Sequence, residues 1–89
     1  MTPRQIELAR HALGLTTSRV SYRNRFFAAR GGRDDMDWRS MVNAGYALRI
    51  PWGWTGGDFY FLTEAGAKAA LRRRERLDAE DFPSPASPE

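Results

Sequence analysis

Three carboxylates within four residues, Asp34, Asp35 and Asp37, are the densest set of metal-binding or proton-transfer groups in the sequence. Oxygen donors so spaced suit a hard cation, but a metal or acid–base centre needs partners that this chain does not place beside them. The only histidine, His11, stands alone, cysteine is absent, and the serines and threonines lack a neighbouring general base. His11 therefore reads as a surface or half-buried structural residue. Gly53, Gly56 and Gly57 share only their composition with a phosphate loop, since the lysine and the strand-loop-helix order are missing. A helix cap accounts for the three aspartates without further chemistry. The expectation is a protein that is not an enzyme and has no metal or cofactor.

The element that must carry these aspartates is a helix over residues 35–44. Asp34 is placed as its N-cap and Asp37 as the acid that reaches back in a capping box. Trp38, Met41 and Val42 form its apolar stripe, and Gly45 supplies a left-handed stop with Tyr46 folding back on the last turn. The period then changes to alternation, with Tyr46, Leu48, Ile50 and Trp52 on one face and Ala47 and Arg49 on the other. Pro51 marks an edge or an end of that strand. Residues 53–57 turn the chain into a second aromatic strand over 58–62. Thr63 caps a last helix that has Glu64 in its first turn and runs to near residue 78, where Gly66 permits close packing.

At the start of the chain, Thr2 and Pro3 open a helix over 3–13 with Ile6, Ala9, Ala12 and Leu13 on one face. The helical spacing of Val20, Arg23, Asn24 and Phe27, and of Tyr22, Phe26 and Ala29, predicts a second helix over 21–29. The fold class expected is α+β, a small winged helix-turn-helix-like domain in the order α-α-α-β-β-α spanning 1–77. The acidic, Pro/Ser-rich stretch 78–89 cannot bury enough apolar surface to order itself.

The net charge of +3 is unevenly distributed. Residues 1–33 carry seven arginines against Glu7 alone, a net of +6, whereas residues 34–67 carry a net of −3. A basic first third suits a polyanion or an acidic protein surface. With 89 residues the chain buries only about 60 to 65% of its unfolded surface, so a homodimer would add stability. No apolar run approaches the roughly 20 residues of a membrane span, and no signal peptide is visible. A soluble protein of the cytoplasm is expected.

The segments HALGL, SYRNRFF, DWRSMVNAGYALR, TGGDFYF and LTEAGAKAAL resemble a family of small proteins encoded by phages and prophages, over roughly residues 3–71. The half from MVNAGYALR onward also resembles the wing region of bacterial winged-helix regulators. In such a regulator the helix before the wing enters the major groove, yet here Asp34, Asp35 and Asp37 would meet the phosphates and repel them.

Two functional classes follow. In the first, a phage-encoded binding protein inhibits or redirects a nucleic-acid machine of the host, as anti-CRISPR proteins do, by contacting a host protein or ribonucleoprotein complex. Trp52, Trp54, Arg49 and Tyr60 are then the anchor, with Asp34, Asp35, Asp37, Arg39 and Asn43 on the adjoining helix. In the second, a winged-helix regulator touches the phosphates of double-stranded DNA with Arg19, Arg23, Arg25, Arg30, Arg33, Arg72, Arg73 and Arg76. Tyr22 to Phe27 interleaves basic and aromatic residues, a pattern that serves either stacking on bases or core packing.

Overall fold

The computed structural model describes residues 1–51 and 56–82. The element order is α1 (Pro3–Leu13), β1 (Phe26–Ala29), α2 (Arg33–Asn43), β2 (Ala47–Pro51), β3 (Gly57–Leu62) and α3 (Glu64–Ala70). The three strands form one antiparallel sheet in the order β1-β3-β2. The α+β class and the β2-β3 hairpin agree with the sequence. The expected helix-turn-helix does not, because a single helix stands between β1 and β2.

That difference arises at residues 21–29, where a strand replaces the expected helix. Tyr22 and Arg25 donate their backbone N–H groups to Leu13 and Ala12 of α1. The Asn24 amide acts as a substitute strand partner for the end of β3, donating to the Leu62 carbonyl (3.0 Å) and accepting from its N–H (2.8 Å). From Phe26 onward the backbone pairs with β3, in register Phe26↔Tyr60 through Ala29↔Gly57. Local helical spacing loses to this long-range ladder, which buries Ala28 and sends Phe27 to the opposite face.

α1 follows its sequence signals closely. Thr2 and Gln5 form a capping box, and Gly14 adopts φ +81° while the Leu15 N–H returns to the Arg10 carbonyl. The same stop recurs after α2, where Gly45 has φ +85° and Tyr46 N–H reaches the Met41 carbonyl. The start of α2 departs from expectation. Gly32 occupies the N-cap with no side-chain hydrogen bond, so Asp34 and Asp37 do not cap and are engaged elsewhere.

α3 ends at Ala70, well short of residue 78, because Leu71 turns extended and Arg74 takes a left-handed conformation with φ +68°. The chain is drawn across to Arg19 and Val20, with the Arg76 N–H on the Arg19 carbonyl and the Ser21 N–H on the Arg76 carbonyl. The expected tail boundary at Asp78 falls within a packed turn. Asp78 N–H donates to Ser21 Oγ, and Phe82 rests against the core. The final residues 83–89 lie outside the described residues.

All three helices pack on one face of the sheet. Trp38 of α2 is fully buried and stacks on Tyr60 with ring centroids 5.4 Å apart, and Phe26 tilts against it at the same separation. Ala9, Leu13, Met41, Leu62, Ala67 and Ala70 complete the centre. Gly66 lets α3 press onto the turn before β2: a Cβ there would lie 2.0 Å from the Tyr46 carbonyl oxygen. That obstruction is backbone rather than a flexible side chain, so Gly66→Ala forces the helix away. The expected cost is about 1 to 3 kcal/mol, read as a thermal midpoint lower by several degrees. An unchanged midpoint would show that the contact is not tight in solution.

Candidate functional site

Asp34, Asp35 and Asp37 are each held by an arginine. Arg4 of α1 reaches across to α2, pairing with Asp34 and donating from Nε to Asp37 at 2.7 Å. Asp35 is buried, accepting from Arg39 Nε (2.8 Å), the Gly31 N–H (2.9 Å) and the Tyr60 hydroxyl. Burial pushes its carboxyl up, but the hydrogen bonds from Tyr60, Arg39 and Gly31 outweigh burial and bring it to about 2. Burial and the bond to Asp35 push the Tyr60 hydroxyl up to about 12, so it stays a donor. The hydrogen bond to Asp35 likewise holds the Arg39 guanidinium charged.

A second buried carboxylate, Asp58 of β3, lies beside this group. It accepts from Arg49 Nε at 2.7 Å, Arg30 Nε at 3.2 Å and Arg39 Nη2 at 3.5 Å. Three arginines from three segments thus converge on two aspartates between α2 and the hairpin. No group of three or more His, Cys, Asp and Glu able to hold a metal occurs among the described residues. No helix among them is long and apolar enough to cross a membrane.

This network engages four members of the anchor expected from sequence. Tyr60 is fully buried, Asp35 is buried, and Arg39 and Arg49 are committed to Asp58. Asn43 is exposed at the end of α2. Trp52 and Trp54, the other members, lie outside the described residues. The arginines expected at phosphates are also divided. Arg23 donates to the His11 carbonyl, Arg30 holds Asp58, and Arg72 pairs with Glu7 at the surface. Arg19, Arg25, Arg33, Arg73 and Arg76 are exposed and form no ion pair among the described residues.

What the sheet does present is its other face. Strand alternation directs Tyr60, Leu62, Asp58, Ala47 and Ala28 to the helices and leaves Phe27, Phe59, Phe61, Leu48 and Ile50 on the side away from them. The relative exposures of Phe27, Leu48 and Ile50 are 45%, 57% and 49%, high for apolar side chains in strands. Phe27, Phe59 and Ile50 form one row across all three strands, and Leu48 and Phe61 form the next. Phe27 meets Phe59 edge to face at 5.1 Å, and the Arg25 guanidinium lies 5.9 Å from the Phe59 centroid.

The alternation of 47–51 was legible, but the core taking the Ala47 side rather than the Leu48 side was not, and Tyr46, expected on the Leu48 face, packs against the core. The signal was Asp58: an aspartate is disfavoured in a strand, and its face had to be the one with arginines opposite. No family model, no curated protein and no solved structure matches this chain.

Proposed function

We propose that the chain is a non-enzymatic binding protein that attaches to a larger assembly through the helix-free face of its sheet. The observation that carries this is the exposure of Phe27 and Ile50 in one row of that face and of Leu48 in the next, beside Phe59 and Phe61. Clustered apolar side chains of this kind on a small domain mark a contact surface, because leaving them in water forfeits the burial that stabilises everything else. The resemblance to small phage proteins sets the class of assembly: a host protein or ribonucleoprotein complex that handles nucleic acid, inhibited or redirected in the manner of anti-CRISPR proteins.

A winged-helix regulator of double-stranded DNA is the second reading, favoured by the exposed Arg19, Arg33, Arg73 and Arg76. It lacks the paired helices that a major-groove reader uses.

Recovery of partners from host lysate separates the two. Ile50→Glu places a charge in the row at an exposed edge-strand position, so the fold should be retained while capture falls by about tenfold or more. Arg73→Ala with Arg76→Ala should leave capture unchanged. Capture equal to wild type for Ile50→Glu, with loss in the arginine pair, would exclude the sheet face as the contact.

A further inference from the structure

Resting on that reading of the sheet face, we infer that its occupant is a single strand of nucleic acid, with bases laid on Phe27, Phe59 and Phe61 and phosphates along the β1 side. The rows of the face are two residues apart along each strand, about 7 Å. Bases stacked within a duplex repeat at about 3.4 Å and offer no free faces, so rings 5.1 Å apart within a row, as Phe27 and Phe59 are, and a full row apart, as Phe59 and Phe61 are, fit bases that have been splayed apart. Stacking on phenylalanine needs only the π-face that every base has, and it is independent of sequence.

The charge around the face favours the same ligand. No carboxylate stands among Arg25, Phe27, Ala29, Leu48, Ile50, Gly57, Phe59 and Phe61, while Asp35 and Asp58 are buried on the helix side. Phe27 borders two clefts at the β1 edge. One, of about 260 Å³, is lined with His11, Arg23 and Arg25 and holds no acid. The other, of about 280 Å³, is lined by Arg4, Arg33 and Asp34, and Asp34 is paired with Arg4. Arginines therefore border the Phe27 end of the aromatic row on both sides, where the backbone of a strand lying on the rings would pass.

The test titrates the full chain against labelled oligonucleotides of about 12 nucleotides, as single-stranded DNA, single-stranded RNA and the matched duplex, at about 50 and 200 mM salt. Single strands should bind about tenfold or more tighter than the duplex. Phe27→Leu, which keeps an apolar side chain at an exposed site, should weaken that binding about fivefold or more. Arg25→Gln should reduce the salt slope by about 0.7. Thermal melts of both variants confirm folding, and Arg73→Ala with Arg76→Ala serves as the control. Equal binding of duplex and single strand, or no effect of Phe27→Leu and Arg25→Gln, would overturn the assignment. If no oligonucleotide binds but Ile50→Glu still abolishes capture from lysate, the face serves a protein and the single strand is ruled out. If neither is seen, the face is not a contact surface at all.

Discussion

Replacing Asp58 by alanine is expected to remove about 3 to 5 kcal/mol of stability, a large part of the roughly 5 to 10 kcal/mol that a chain of this size has. The side chain is fully buried, and three guanidinium groups from Arg30, Arg39 and Arg49 are arranged around it. Without it, those cations face one another near the turn end of the hairpin, with Asp35 beside Arg39. The arginines keep 34% to 43% of their side-chain surface in water, so deleting any one of them should cost much less than deleting the aspartate. Asp58→Asn, which keeps the shape and removes the charge, should fall between. Urea unfolding of the variants decides it: a loss below about 1 kcal/mol for Asp58→Ala would mean that water already satisfies the arginines.

The same aspartate marks how far the sequence could be read. Wherever an element is fixed by its own ends it was legible: the Thr2 capping box, the glycine stops at Gly14 and Gly45 and the Thr63 cap all act within a few residues. Wherever a distant partner decides, local spacing misled. Phe26 and Phe27 satisfy a helical period, but Asn24 and β3 recruit them into a strand. Asp34 and Asp37 satisfy a capping rule, but Arg4, some thirty residues earlier, claims them. Leu71 and Leu77 continue a helical stripe, yet the chain leaves the helix to meet Val20. The chemistry-bearing residues of the candidate site divide the same way. Tyr60 looked like an anchor in a run of aromatics, and only the pairing with β1 and β2 shows that it faces inward while Phe59 and Phe61 face out.

The departure at the end of α3 is held by a buried ion pair. Arg10 of α1 is 4% exposed and grips Glu75 with both terminal nitrogens, at 2.5 and 2.6 Å, while also donating to the Ala70 and Leu15 carbonyls. Glu75 in turn accepts from the Arg72 N–H at 2.7 Å, which fixes the turn containing Arg74. Glu75→Ala strands a buried guanidinium and should cost about 3 to 5 kcal/mol. Replacing both partners, Arg10→Met with Glu75→Leu, removes the charge as well as its partner and should recover most of that loss. Additive losses in the double variant would show that the pair's value lies in the Ala70 and Leu15 contacts instead. Acid should act on the same bond. The hydrogen bond from Arg10, opposed by burial, holds the Glu75 carboxyl at about 2, and Asp35 is held at a similar value. Both folded values lie below those of the unfolded chain, so their contribution is complete above about pH 5 and is lost as the pH falls toward 2. The urea midpoint should therefore be level from about pH 7 to 5 and decline below it. Glu75→Gln should lose part of that decline while keeping the part due to Asp35. A midpoint constant down to about pH 2.5 would mean that neither carboxylate is more strongly held in the folded chain than in the unfolded one.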